Sequence, residues 1–231
     1  MNDINQSTLP CIKPSTLSRG RGIQKLHVID GTNIKDNQSL SDILDGYKKD
    51  YLIQEVVHQH QRMEALNPSS VNTIRLLTFR KDMEVVIAYS VIRIGRKDQT
   101  IDNESAGGIS ARINSDGRLA KYAYGAPGID KVEYTDSGIK LEGYEIPSFE
   151  KAVALTKELH LQLPFFSLVG WDIAIDKEGK PIMIEFNVNP DLSQSANGPA
   201  FGEHTEMIVK EAMKKSNTWS QLARDCIYRR L

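Results

Sequence analysis

The stretch PIMIEFNVNPD, residues 181–191, alternates apolar and oxygen-bearing side chains. Successive side chains on a strand point to opposite faces. Ile182, Ile184, Phe186 and Val188 are therefore expected to form a buried apolar face, with Glu185, Asn187 and Asn189 on the other. A solvated strand face usually carries Lys, Thr or mixed charge, whereas this one shows a carboxylate and two amides. Such a row suits a hard cation such as Mg²⁺, which takes oxygen ligands and keeps water and phosphate around it. An ordinary exposed strand face has the same alternation, so the stretch by itself leaves both readings open.

The longer segment LVGWDIAIDKEGKPIMIEFNV (168–188) reads as a hairpin with DKEGK at its turn. That closure brings Asp172 near Glu185, so Asp172, Glu185 and Asn187 converge on one patch. A one-residue slip would expose the opposite apolar faces, so one firmly set register is expected, its exact pairs left open by the sequence. Two adjacent carboxylates raise each other's pKa unless a cation lies between them. The plainer reading of Asp172 is a solvent-facing strand residue.

A metal with so few protein ligands calls for phosphate oxygens. KPSTLSRGRGI (13–23) supplies a candidate cradle. Gly20 and Gly22 let the backbone turn its N–H groups inward, and Lys13 places a point charge on the preceding strand. No Gly-Lys-Ser/Thr follows, so this is not a P-loop; a simple turn between strands is the alternative.

The remaining pattern mixes strands and helices without strict βαβ alternation, which predicts an α+β fold. CIKPS and KLHVID (25–30) read as strands, and YLIQEVV (51–57) as a β-type run. NTIRLLTF, EVVIAYSVIRIG, GGISARINSDG and RLAKYAYG read as successive antiparallel strands. SLSDILDGYKK (39–49), SFEKAVALTKELHLQL (148–163, with Ser148 as candidate cap) and GEHTEMIVKEAMKKS (202–216) have helical spacing. The chain is 231 residues long, room for one large domain or two small ones sharing a cleft. Its net charge of -1 and lack of a basic stripe exclude an electrostatic footprint for nucleic acid. No apolar run approaches the roughly 20 residues that cross a bilayer, and the N-terminus lacks a secretory pattern. Two isolated cysteines, Cys11 and Cys226, point to a reducing, cytoplasmic setting.

A Lys-Pro strand, a Gly-rich loop, a strand ending in Gln-Glu and a distal Asp…Glu-x-Asn hairpin occur here in that order. This order resembles the ATP-grasp superfamily from Lys13 to about Glu211. LNPSSVNTIRLLTF, DNESAGGIS and GWDIAID…IEFNVNPDL resemble its sugar-transfer-associated group, related to α-L-glutamate ligases. The resemblance implies two α+β subdomains clasping ATP, with largely antiparallel sheets. The expected division is 1–57, with the Lys-Pro strand, loop and hinge strand, and 58–231, with the hairpin.

The resemblance also implies roles for individual residues. Lys13 matches the lysine that touches the α- and β-phosphates, and Ser18 to Ile23, including Gly20 and Gly22, match the loop that closes over them. Gln54, Glu55, Val56 and Val57 match the linking segment whose backbone reads the adenine edge; the Glu55 side chain is dispensable in that reading. Gln61 falls near the position of a ribose-binding Glu. Asp172, Glu185 and Asn187 match the ligands of two Mg²⁺ ions, with Mn²⁺ as a substitute, and Glu bridges the two.

Arg75 lies between Ile74 and Leu76, and Arg93 between Ile92 and Ile94, so each projects opposite to its apolar neighbours. Each reads either as a surface strand arginine or as facing a shared cleft. In related ligases, arginines at comparable positions bind the transferred phosphoryl group or the acceptor carboxylate, uses that bidentate geometry favours. Asn103 and the Gly107-Gly108 pair resemble a stretch beside the acceptor site. His58 and His60 read as an exposed loop, and Trp171 as core packing.

Two features depart from the resemblance. Twelve residues precede Lys13, where relatives usually carry a further domain, so the chain reads either as truncated or as having a partly missing acceptor site, with a missing N-terminal domain or a homo-oligomer as the partner expectation. Gly170 and Trp171 stand where many relatives have an Arg, leaving Arg75 or Arg93 to supply that charge. The implied activity is Mg-dependent ligation of a small carboxylate to an amine, through an acyl phosphate formed from ATP. It suggests a link to cell-surface polysaccharide or glutamate-adding metabolism. The rival is a nucleotide-binding module without ligase activity. A carbohydrate-binding β-rich domain leaves Lys13 and the metal row unexplained.

Overall fold

The computed structural model describes residues 10–15, 22–97, 107–125, 131–190, 192 and 200–214. The chain divides into two compact units, Met1–Gln59 and His60–Leu231.

In the first unit, β1 (Pro10–Pro14) pairs antiparallel with both β2 (Gln24–Lys25) and β6 (Tyr51–Glu55). A second small sheet joins β3 (Val28–Ile29), β4 (Thr32–Asn33) and β5 (Gln38–Ser39). Helix α1 (Leu40–Tyr47) starts at Ser39, whose hydroxyl accepts from the Asp42 N–H at 3.1 Å, the expected cap. Its Ile43 packs with Ile12 and Leu26 as the core of the unit. KLHVID is not one strand. Leu26 turns into that core, and the chain breaks into β2 and β3, which belong to different sheets.

The second unit is built on a six-stranded antiparallel sheet in the order β10-β9-β8-β7-β11-β12. The strands are β7 (Thr73–Lys81), β8 (Glu84–Ile94), β9 (Ile109–Ile113), β10 (Leu119–Tyr124), β11 (Leu168–Ile175) and β12 (Pro181–Asn187). One face carries Ile74, Leu76, Ile92, Trp171 and Ile173. It packs under α2 (Gln61–Leu66) and α3 (Phe149–Leu161) through Met63, Leu66, Phe149 and Ala152. Burying each large side chain contributes about 1.5–3 kcal/mol. The Trp171 indole N–H donates to Thr78 Oγ1 at 2.7 Å, so this core tryptophan leaves no polar atom stranded. On the opposite face Leu77, Tyr89 and Val91 pack against Ile208 of α4 (205–214). Among the described residues, no helix is long and apolar enough to cross a membrane.

Three sequence expectations are corrected. Ser148 does not cap α3 with its side chain: it sits in the left-handed region at φ 53° and donates to the Gly179 carbonyl at 2.6 Å. His60 is not an exposed loop residue; it caps α2, its Nδ1 accepting from the Arg62 N–H at 3.1 Å. The apolar face of 181–188 is not buried throughout. β12 is the edge strand, and Phe186 and Val188 are 44% and 43% exposed. A one-residue shift also breaks the alternation: Asp172 pairs Glu185, but Ile173 pairs Met183, which leaves Ile184 as the extra residue. Ile182 thus faces Ala174 while Phe186 faces Trp171, on opposite sides of the sheet.

Candidate active site

The hairpin β11–β12 closes over residues 176–180. The Asp176 carboxylate accepts from the Glu178 and Lys180 N–H groups, and the Gly179 N–H donates to the Asp176 carbonyl. This turn sets Asp172 directly opposite Glu185 and Gly170 opposite Asn187. On the other side of β11, Asp172 is registered with Arg75 of β7. Arg75, Asp172 and Glu185 therefore form one cross-sheet row, with neighbours about 4.8 Å apart along the hydrogen-bonding direction.

Arg75 grips Asp172 with both ends of its fork, Nε to Oδ1 at 2.6 Å and Nη2 to Oδ2 at 2.9 Å. Arg93 reaches the same carboxylate from β8, its Nη1 3.3 Å from Oδ2. The Arg75 and Asp172 side chains are 8% and 5% exposed, so the surface reading of Arg75 does not hold. Burial alone would raise the Asp172 pKa. The charge of Arg93 and the hydrogen bonds and charge of Arg75 outweigh it and hold the group below its ordinary value. Glu185 goes the other way. Burial pushes its pKa up, and the hydrogen bond to Asp172 and the Asp172 charge push it further, against a hydrogen bond from Asn187.

These shifts describe one arrangement. An ionised carboxylate has about four lone-pair sites. Three arginine N–H groups occupy Asp172. Asp172, Glu185 and Asn187 are hard oxygen donors, and a divalent cation would relieve the repulsion between the two carboxylates that raises the Glu185 pKa, so the donor set fits Mg²⁺. Among the described residues there is no cluster of three His, Cys, Asp or Glu side chains. Any cation at this row would therefore depend on the amide as well as the carboxylates.

Gly170 and Pro190 were not assigned a role from the sequence. A Cβ at position 170 would lie 2.9 Å from the Pro190 Cβ, 3.4 Å from Arg75 Nη1 and 3.7 Å from Arg75 Cδ. The guanidinium thus lies across the bare strand position. An interior strand glycine is itself a signal of close approach, and Val169-Gly170-Trp171 carried it.

The first unit holds the other candidates. Lys13 lies on β1, registered with Leu52 of β6. Gly22 has φ 74°, a conformation that favours glycine, and its carbonyl accepts from the Tyr47 hydroxyl. Ile23 is exposed beside it. Gln54 and Glu55 end β6, Val56 and Val57 follow, and Gln61 opens α2 in the second unit. Ser18, Gly20 and Asn103 lie outside the described residues.

An antiparallel sheet whose hairpin gathers Asp, Glu and Asn beside paired arginines defines an ATP-grasp architecture, α+β in class. The chain belongs to the sugar-transfer-associated ATP-grasp family, whose sequence model matches residues 1–210. No curated protein matches the chain. Among solved structures, it is similar to the biotin carboxylase domain of Hydrogenobacter thermophilus 2-oxoglutarate carboxylase, determined with MgADP, ADP and bicarbonate. The identity is 13% and the TM-score 0.43, covering 81% of this chain and 32% of that one. It is also similar to D-alanyl-alanine synthetase A of Vibrio cholerae, at 12% identity and TM-score 0.44, with coverages of 85% and 47%. An L-amino acid ligase of Bacillus licheniformis matches at 10% identity and TM-score 0.42, with coverages of 84% and 37%. The chain spans less than half the length of each of these chains.

Proposed function

We propose that the chain is an ATP- and Mg²⁺-dependent ligase joining a small carboxylate to an amine. The observation that carries this reading is the row Arg75–Asp172–Glu185, with Arg93 and Asn187 beside it. Two arginines, two carboxylates and an amide on one sheet face match the needs of phosphoryl transfer, which is mostly positioning and charge stabilisation. Family membership supports the same reading.

In the proposed reaction, an oxygen of the substrate carboxylate attacks the γ-phosphorus of ATP. The bond to the β-bridging oxygen breaks, leaving ADP and an acyl phosphate. The amine then attacks the acyl carbon and expels phosphate, losing a proton as the amide forms. Mg²⁺, when bound, neutralises charge on the nucleotide phosphates. Asp172, Glu185 and Asn187 would hold it. Arg75 and Arg93 fix Asp172 and bring positive charge to the oxygens of the transferring group. Lys13 takes nucleotide phosphate, and the backbone of Gln54–Val57 reads adenine.

The test is ADP release with Mg²⁺, ATP and pooled small carboxylates and amines. Release that requires both pools supports the ligase. Mg·ATP binding without turnover across a broad panel favours a nucleotide-binding module instead.

A further inference from the structure

We infer that Gly170 is a positioning residue: its missing side chain forms a slot, roofed by Pro190, that locks the Arg75 guanidinium across Asp172. The inference rests on the role proposed for Arg75.

Glycine weakens the interior of a strand, so its presence in the middle of β11 needs a reason. Backbone conformation is not that reason, because Gly170 is not among the glycines with positive φ. Space is. Arg75 and Asp172 are registered partners on adjacent strands, so their Cβ atoms are about 5 Å apart. An arginine side chain is longer than that gap. To present Nε and Nη2 side by side to both carboxylate oxygens, it must fold along the sheet, and here it folds over residue 170.

The other wall comes from the chain beyond β12. Asn187 is registered opposite Gly170, and three residues later Pro190 comes back over the same spot. A methyl group there would have to separate two neighbours. The Pro190 ring, 2.9 Å away, belongs to a stiff residue, and Arg75 Nη1, 3.4 Å away, is part of a planar guanidinium that Asp172 holds through Nε and Nη2. The slot therefore couples the end of the hairpin to the orientation of Arg75. A residue that touches no reacting atom sets the angle of one that does.

The test is a double-mutant cycle on the full chain with Gly170→Ala and Arg75→Ala, read by urea unfolding and by ADP release. Gly170→Ala is expected to lower the folding constant about tenfold in the parent and clearly less in Arg75→Ala, where the vacated space lets the methyl and Pro190 separate. If the parent turns over, Gly170→Ala should lose about 100-fold in kcat, with KM for ATP nearly unchanged. Pro190→Gly should restore most of that loss. Equal unfolding costs in both backgrounds, or parental kcat in Gly170→Ala, overturn the inference. A parent that never releases ADP counts against the ligase reading alone, because the unfolding cycle still reads the slot. Should Gly170→Ala fail to fold, it is made together with Pro190→Gly, where the closest contact is gone; a failure to fold there overturns the inference as well.

Discussion

At the residue scale, Arg75 stabilises the fold and, in the proposed reaction, also acts on the transferring group. Removing one partner of a buried ion pair leaves the other charge stranded, so Arg75→Ala should cost about 3 kcal/mol of stability, lessened by the remaining contact from Arg93. In the proposed reaction its larger effect falls in the transition state. Arg75→Ala is expected to bind Mg·ATP nearly as the parent does yet to lose on the order of 10³-fold in turnover. Arg75→Lys should recover little, because an ammonium lacks the planar fork that spans Oδ1 and Oδ2. Steady-state ADP production beside equilibrium ATP binding separates the two effects; parental turnover in Arg75→Ala would remove it from the reaction. His160 is a second buried titratable group, wholly inside and hydrogen-bonded to the Phe166 carbonyl at 3.1 Å. Burial lowers its pKa from 6.5, so the folded protein binds this proton less readily than the unfolded chain. Its contribution is complete above pH 6.5 and is lost as pH falls below that value, with a slope of up to about 1.4 kcal/mol per pH unit. Urea midpoints at pH 7 and 5.5 should diverge more in the parent than in His160→Phe; equal divergence would discount His160.

At the element scale, the hairpin β11–β12 decides the site. The exact register of Asp172 against Glu185 was not legible, but the turn and the nearness of the two carboxylates were, because Gly179 and the alternation around Glu185 are local signals. The strand phases of Arg75 and Arg93 were legible for the same reason. Their shared partner was not, since it depends on which strands are neighbours. The extra residue at Ile184 was also hidden: a single inserted residue leaves the period-two pattern unchanged on both sides of it. So was the exposure of Phe186, which follows from the edge position of β12. Ser148 looked like a cap from its place before α3, but a tertiary contact with Gly179 took its hydroxyl. The hairpin also makes a prediction about protons. Glu185 has a raised pKa, so below that value a cation must displace its proton. Mg²⁺ affinity should therefore rise as pH rises from 4.5 and then level off, with proton release at the lower end. Calorimetry in buffers of different ionisation enthalpy reads that release, and none is expected in Glu185→Gln.

At the scale of the whole molecule, the two compact units carry different parts of the proposed chemistry. The first offers Lys13, and the second the carboxylate row. Lys13→Ala should weaken ATP binding much more than adenosine binding, because its charge acts on phosphate; an equal loss for both would mean damage to β1 instead. The carboxylate row should act on ATP only through the cation. The most direct measurement is a calorimetric titration of the parent and of Glu185→Gln with ATP, each with and without Mg²⁺. The parent should bind ATP far more tightly when Mg²⁺ is present, and Glu185→Gln should fold normally but lose most of that gain. Unchanged Mg-dependent affinity in Glu185→Gln would contradict a metal-assisted phosphoryl-transfer site on this sheet.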